Sequence, residues 1–279
     1  MSEPPSTPAA APDPAAATSP RSESRGPCAG DALLSLWRAA VILFWHVVIA
    51  IPSLVLVAVH PNGGSIGQAI FARFWGRVTL AMCGVRWTAI GFERLDPRRP
   101  WVLVANHASE FDFYAFAAAA RFQWRALMKP GLRKIPGYGW AAEKSGMVFV
   151  RLGDPDTRSR AYRLALAEMA RGHSLLVFAE GRRSYDGELR PLKRGAFVLA
   201  IEAQVPLVPI TVEERLAAPR RRVFGRALAH RIRELRVVVG EPIETAGKSL
   251  ADVDALRALV ARAIAAGHVE PPEVIAADS

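Results

Sequence analysis

The pattern of apolar and polar positions divides the chain into distinct parts. Residues 1–30 are rich in Pro, Ala and Ser and lack apolar periodicity, which predicts a disordered tail. Residues 31–84 contain a nearly unbroken apolar run, Ala39–Val59, followed by a segment whose apolar side chains recur at helical spacing. Residues 85–268 alternate short apolar strands with helical patterns. The chain therefore reads as a tail, a membrane-associated helical segment and a folded domain.

The apolar run Ala39–Val59 is long enough to reach across a bilayer, because a rise of about 1.5 Å per residue gives it a length of about 31 Å. Pro52 interrupts the run, and arginines flank it on both sides. Since Lys and Arg collect on cytoplasmic flanks, we expect a segment that dips into the membrane, bends near Pro52 and returns. A full span and a buried helix of a soluble core are the alternatives. Ser65–Gly84 is predicted to lie in the membrane surface or to pack on the domain.

The remaining chain predicts a layered α/β domain, a mixed sheet flanked by helices, with a flexible C-terminus at residues 269–279. The predicted strands are Arg86–Gly91, Trp101–Ala105, Ala126–Lys129, Met147–Arg151, Ser174–Ala179, Pro206–Thr211 and Leu235–Gly240. The predicted helices are Asp112–Ala120, Thr157–Arg171, Gly195–Gln204 and Leu250–Ala266.

Charge indicates an anionic partner. The 279 residues include 36 Lys and Arg against 26 Asp and Glu, a formal charge of +10. Cys28 and Cys83 are too few for a disulfide framework and lack metal-ligand spacing. One segment concentrates arginines, and it is either a solvated surface or a patch for anionic headgroups or an acidic carrier protein. Aromatic residues hardly interleave with it, so we do not expect nucleic acid as a partner. These arginines are Arg220, Arg221, Arg222, Arg226, Arg231, Arg233 and Arg236.

A histidine and an aspartate follow the apolar strand Trp101–Ala105, at the end where ligands bind in open α/β sheets. His107 can accept a proton from an attacking hydroxyl, and a carboxylate on its other ring nitrogen would fix the tautomer. At about 100° per residue, His107 and Asp112 would point about 140° apart on one helix. They can meet only if a helix begins between them. The alternative is a surface turn with an unrelated His and Asp.

A second polar motif, Phe178–Ser184, also follows an apolar strand. Gly181 permits a tight turn, and the adjacent Arg182 and Arg183 could hold a phosphate with charge-assisted hydrogen bonds. Lys193 comes shortly after. A solvated basic loop is the alternative interpretation.

The two motifs, Asn-His-x-x-x-x-Asp and Phe-x-Glu-Gly-x-Arg-Ser, resemble those of the glycerophospholipid acyltransferases, in particular the bacterial 1-acyl-glycerol-3-phosphate acyltransferases. Lys129–Trp140 and Val205–Ile210 resemble two further blocks of this family, in the same order. The resemblance runs from about Phe71 to Ile264. The chain departs from the family at Pro130-Gly131-Leu132, where Lys-Glu-Leu is frequent, and at Ala179 and Arg182, where Pro and Thr are usual. These departures bear on the acceptor more than on the reaction type.

The resemblance implies a role for each matching residue. His107 would be the general base, Asp112 would orient it, and Arg183 would bind the acceptor's phosphate, with Lys129 and Arg151 adding positive charge. The family uses no metal and no acyl-enzyme, so no cofactor is expected beyond the acyl-CoA or acyl carrier protein cosubstrate. The implied substrate-binding residues are Asn106, Lys129, Arg151, Glu180, Gly181, Arg182, Arg183, Ser184, Lys193 and Pro206.

The implied reaction transfers a fatty acyl group from acyl-CoA or acyl carrier protein to the free hydroxyl of 1-acyl-glycerol-3-phosphate, giving phosphatidic acid in phospholipid biosynthesis. Another lysolipid acceptor, such as lyso-ornithine lipid, and a non-catalytic lipid-binding protein are the alternatives. Expected partners are membrane lipids, the lysophospholipid and an acyl carrier protein. The expected location is the inner or plasma membrane, with the catalytic domain facing the cytoplasm.

Overall fold

The computed structural model describes residues 29–60, 62–135, 138–151, 153–183, 188–216 and 232–267. Most of the predicted disordered tail, the predicted flexible C-terminus and the arginines at positions 220 to 231 lie outside these ranges. Ala29 and Gly30, which were assigned to the tail, form the start of the first helix.

In the part of the chain that the structure describes, seven strands form one mixed sheet in the order β1-β7-β6-β2-β5-β3-β4, which confirms the predicted fold class. Strands β6, β2, β5, β3 and β4 run parallel, whereas β7 pairs antiparallel with β6 and parallel with β1. The strands are β1 (Arg86–Ile90), β2 (Val102–Ala105), β3 (Trp124–Met128), β4 (Val148–Phe149), β5 (Ser174–Phe178), β6 (Leu207–Leu216) and β7 (Ile232–Val239).

The predicted helices form close to their expected bounds, and one additional helix, α4, is too short to show a clear period in the sequence. The helices are α1 (Ala29–Val59), α2 (Gly63–Met82), α3 (Asp112–Ala119), α4 (Tyr138–Lys144), α5 (Pro155–Ala170), α6 (Gly195–Ala203) and α7 (Val253–Ala266).

Strands β6 and β7 extend well beyond the predicted apolar segments because charged residues pair across them. Arg236 of β7 donates from Nη1 to Glu213 Oε2 of β6 at 3.1 Å and is buried. Arg236 therefore belongs to the sheet and does not contribute to an exposed basic patch.

Strand β2 lies at the centre of the sheet and separates two apolar layers. Leu103 and Ala105 face the layer that contains residues of α1, α2 and α3, while Val102 and Val104 face the layer built by α5, α6 and α7. All four side chains are buried. A central parallel strand that is covered on both faces has a continuous apolar sequence, which is why β2 was predicted correctly from the sequence.

Helices α1 and α2 form an antiparallel hairpin. Near the start of α1, Trp37 Nε1 donates to the Met82 carbonyl at 3.0 Å, and Arg38 Nε donates to the Cys83 carbonyl at 3.1 Å. The chain reverses between the end of α1 at Val59 and the start of α2 at Gly63, so the bend predicted near Pro52 is wrong in position. Helix α1 continues through Pro52 to Val59, although an interior proline removes one helical hydrogen bond and crowds the carbonyl of the preceding turn.

The polarity of α1 is reversed relative to a helix on the surface of a soluble domain. Its polar residues Arg38, His46 and Ser53 are buried against the protein. Its outward face is apolar, and by length and composition Ala32–Val59 is the one helix in the described ranges that could cross a membrane. The exposed apolar side chains of α1 are Leu33, Leu36, Trp37, Leu43, Phe44, Val47, Ile51, Val55 and Val59.

The hairpin packs closely on α3, which carries part of the candidate site. A methyl group on Gly76 of α2 would lie 2.5 Å from the carbonyl oxygen of Tyr114 and 2.7 Å from the backbone nitrogen of Ala118. Both atoms belong to the α3 backbone and cannot move independently of it. The absence of a side chain at Gly76 therefore sets the distance between the hairpin and α3.

Replacing Gly76 with Ala should lower the free energy of unfolding by about 1–3 kcal/mol, because the helices must separate to admit the methyl group. Denaturation of the detergent-solubilised protein measures this. Gly195→Ala is the matched control, since a methyl group there meets nothing within 4 Å. Equal stability of the two variants would contradict the close packing.

Candidate active site

His107 and Asp112 meet at the carboxyl end of β2. The strand ends at Ala105 and α3 begins at Asp112, so the connecting loop lets the two side chains converge as the sequence required. The distance from His107 Nδ1 to Asp112 Oδ2 is 2.9 Å. This contact excludes the alternative of an unrelated surface His and Asp.

Asp112 is completely buried, and it accepts hydrogen bonds from other groups of the loop in addition to His107. Its Oδ2 also accepts hydrogen bonds from the backbone N–H of Ala108 at 2.7 Å and of Ser109 at 2.9 Å. Its Oδ1 accepts from the Ser109 hydroxyl at 2.9 Å. Its position in the first turn of α3 adds the favourable field of the helix dipole. The carboxylate therefore fixes the loop and the imidazole together.

The imidazole of His107 is held on a second side by an aromatic ring. It stacks on Phe178 at the end of β5, with ring centroids 4.2 Å apart. Its side chain is 15% exposed, so one edge remains accessible. With Nδ1–H donated to Asp112, Nε2 carries the free lone pair that a general base needs.

Glu180 braces the loops around His107. Its Oε1 accepts from the His107 backbone N–H at 2.8 Å and its Oε2 accepts from the Arg190 backbone N–H at 3.0 Å. The side chain is buried, and this burial raises the pKa of its carboxyl although the two N–H groups favour the charged form. Both carboxylate oxygens of Glu180 thus accept backbone N–H bonds, and the substrate contact implied by the resemblance stays a prediction.

Asn106 is another structural bridge. Its Nδ2 donates to the Val212 carbonyl at 2.8 Å, and its Oδ1 accepts from the Val212 N–H at 2.6 Å. Both functional atoms of this buried amide are therefore used to join the end of β2 to β6. Asn106 thus fixes the backbone next to His107, and its implied contact with the substrate stays a prediction.

The Arg183 guanidinium lies close to the histidine loop. Its Nη1 is 2.6 Å from Oε1 of Glu110, a residue of that loop, and both side chains are only about a quarter exposed. Gly181 adopts a φ of +72° in the turn after β5, a conformation that glycine tolerates best. Arg182 is exposed beside Arg183. Ser184 lies outside the described residues.

Three further predicted basic residues lie around the same edge of the sheet. Lys129 follows β3, Arg151 follows β4, and all three are exposed. Lys193 donates its backbone N–H to the carbonyl of Ala179, just after β5, at 2.8 Å. Because β2, β3, β4 and β5 are parallel, these positions surround the end of the sheet that carries His107.

Pro206 is not brought to this site. Its carbonyl accepts from the Val102 N–H at 2.9 Å, at the amino end of β2, and the residue is buried. The proline block begins at the far end of β6, and only its later residues approach the His107 end, where Ile210 pairs with Ala105. Pro206 therefore supports the sheet at the end away from His107.

Sequence reasoning left three residues of the site without a role: Ser109, Glu110 and Phe178. All three lie inside the two motifs, so their positions were visible. Their contacts were not, because the Phe178 ring and the Glu110 carboxylate meet partners from a different strand end. A serine three residues before a helical aspartate is a recognisable local signal for the Ser109–Asp112 bond.

The region that contains the two motifs also matches known proteins. The model of the acyltransferase family matches residues 86–213, which include both motifs. An uncharacterized acyltransferase of Schizosaccharomyces pombe is 35% identical over 200 residues, covering 68% of each chain. The chain belongs to the acyltransferase family. This confirms the family expected from the four sequence blocks.

Other relatives of this acyltransferase carry more specific names. A 1-acyl-sn-glycerol-3-phosphate acyltransferase of Saccharomyces cerevisiae is 31% identical over 58% of the chain, and the human alpha form is 30% identical over 62%. The chain spans only 54% and 60% of the lengths of these two proteins. The crystal structure of the LPA acyltransferase PlsC from Thermotoga maritima matches with a TM-score of 0.68 at 21% identity, covering 88% of this chain and 98% of that one. This match shows a shared fold.

Replacing Glu180 with Ala should lower kcat by up to about 100-fold, because the His107 loop loses its brace and a misplacement of about 1 Å is enough for that loss. The KM for the acceptor should change less than about twofold, and Glu180→Gln should restore part of kcat by accepting one of the two N–H bonds. Steady-state kinetics separate the two constants. A large rise in KM at unchanged kcat would instead place Glu180 in contact with the acceptor.

Proposed function

We propose that this acyltransferase moves a fatty acyl group from a thioester to the free hydroxyl of 1-acyl-glycerol-3-phosphate, giving phosphatidic acid. The observation that carries the proposal is the placement of a His107–Asp112 pair beside the Arg183 guanidinium at one edge of the sheet. The first supplies a base for a hydroxyl, and the second supplies a cation for a phosphate. The names of the yeast and human relatives support this acceptor.

The reaction can be written with His107 as the only group that carries protons. The acceptor hydroxyl attacks the thioester carbonyl while its proton passes to Nε2 of His107, and the Asp112 carboxylate stabilises the imidazolium. The tetrahedral intermediate collapses with cleavage of the C–S bond. The imidazolium returns its proton to the departing thiolate. Atoms and protons balance over these reaction steps without a metal or redox cofactor. Acyl-CoA or an acyl carrier protein serves as cosubstrate.

The α1–α2 hairpin accounts for access to a substrate that is poorly soluble in water. The outward face of α1 is apolar, and burying such a face in lipid contributes about 25 cal/mol per Å². The hairpin also packs on α3, which begins at Asp112, so lipid held along the hairpin lies near the site. We infer attachment to an inner or plasma membrane with the catalytic domain on the cytoplasmic side, where both thioester donors occur.

Membranes that carry His107→Ala should acylate lysophosphatidic acid at least about 100-fold more slowly than the wild type, the usual effect of removing a general base. Transfer of labelled acyl groups from acyl-CoA and from acyl carrier protein to a panel of lysolipids measures this. His60→Ala, in the exposed connection between α1 and α2, is the matched control and should remain active. Inactivity of the wild type on every acceptor, with membrane binding retained, would leave a lipid-binding protein.

Replacing Val47 and Ile51 on the exposed face of α1 with Asp should release the protein from lipid vesicles, since each charge costs about 2.5–3.5 kcal/mol at the centre of a membrane helix. Sedimentation with vesicles measures the bound fraction. Leu164→Asp on α5 and Leu259→Asp on α7 are matched controls, because these leucines are similarly exposed but lie on the other face of the sheet. Equal release by both pairs would contradict an assignment of α1 to the membrane.

A further inference from the structure

Glu110 introduces a negative charge into a site that is expected to bind a negatively charged headgroup. It lies in the loop between His107 and Asp112, and its Oε1 is 2.6 Å from Arg183 Nη1. The Glu110 side chain is 22% exposed and that of Arg183 is 27% exposed, so the pair is partly shielded from water. The ion pair therefore engages one nitrogen of the guanidinium to which the proposed function assigns the phosphate.

The surroundings of Glu110 do not favour its charge. Its second carboxylate oxygen, Oε2, is buried and has no hydrogen-bond partner among the described residues. Burial raises the pKa of the Glu110 carboxyl and the nearby Asp112 carboxylate adds to the rise, while the Arg183 charge, the backbone N–H of Glu110 itself and His107 act against it. The charged form is thus supported mainly by Arg183. A competing anion on Arg183 would weaken this support.

A phosphate monoester is such an anion, since it carries a charge of about −1.5 to −2 near neutral pH. It would bind the same guanidinium, because the planar guanidinium group forms paired hydrogen bonds with phosphate and with carboxylate in the same geometry. Two anions on one guanidinium repel each other. Headgroup binding therefore favours movement of Glu110 away from Arg183, protonation of its carboxylate, or both.

We propose that Glu110 is a specificity-determining residue that competes with the anionic headgroup of the acceptor for Arg183, so that headgroup binding breaks the ion pair. The inference rests on the proposed role of Arg183. It makes the site less receptive to a dianionic headgroup than its arginines alone would. The competition affects binding before the chemical step, so it acts on acceptor affinity and not on the rate of acyl transfer.

The test uses the full-length protein in detergent micelles and compares wild type with Glu110→Gln, which keeps the shape and removes the charge. The Kd of lysophosphatidic acid and its KM should both fall about three- to fivefold, a range typical of a partly exposed ion pair. The kcat and the KM for the acyl donor should stay within about twofold. Equal melting temperatures of the two proteins check that the fold is kept.

The pH dependence provides a readout that a merely structural role would not give. The difference in the Kd of lysophosphatidic acid between the two proteins should be present above the pKa of Glu110, where the Glu110 carboxylate of the wild type is charged. It should vanish as the pH falls through that pKa. Because the phosphate itself titrates near pH 6, only the ratio of variant to wild type is used. Glu244→Gln is the control for a lost carboxylate, since Glu244 pairs with Arg99 near the amino end of β2 at 2.7 Å.

A higher Kd in Glu110→Gln would overturn the proposal and make Glu110 a tether that positions Arg183. An unchanged Kd, or a change that is the same at every pH, would also overturn it. These outcomes are distinct from failure of the proposed function. A wild type that binds lysophosphatidic acid without acylating it would remove the assigned reaction, while the Kd comparison would still decide the role of Glu110.

Discussion

The buried carboxylate of Asp112 is the constraint on which the candidate site depends. It accepts hydrogen bonds from the imidazole of His107, from two backbone N–H groups and from the Ser109 hydroxyl. A carboxylate without exposure to water is stable only when its oxygens are satisfied in this way. The loop must therefore fold around Asp112, and folding the loop fixes the histidine. Stability of the loop and orientation of the base come from the same set of bonds.

The remaining parts of the site are attached to that loop through the carboxyl ends of neighbouring strands. Glu180 connects it to the turn after β5, and Asn106 connects it to β6. Both motifs of the family thus contain residues that hold the backbone as well as the residues proposed to act on the substrate. Arginines and lysines surround this end of the sheet, and Glu110 pairs with one of them, Arg183, from the loop that carries His107.

Patterns along the sequence located the strands, most helices and the His107–Asp112 pair, because these follow from local periodicity and from one loop. Roles that depend on distant contacts were not predictable. Glu180 meets His107 across 73 positions and Asn106 meets Val212 across 106. Pro206 was assigned to the site because its block matches the family, yet the direction of β6 places it at the far end. The reversal of the α1–α2 hairpin falls after Val59, where the sequence His60-Pro61-Asn62-Gly63-Gly64 is a strong turn signal that the bend expected near Pro52 left unused.

The most direct test of the central claim is the kinetics of Asp112→Asn. An amide has one accepting oxygen in place of two, so it cannot accept all four hydrogen bonds, and its NH₂ group would face donors. We predict a loss of kcat of at least about 100-fold, through the wrong orientation or tautomer of His107, with membrane binding retained. Turnover at the wild-type rate in a folded, membrane-bound variant would contradict the account, because His107 would then act without the carboxylate that holds it.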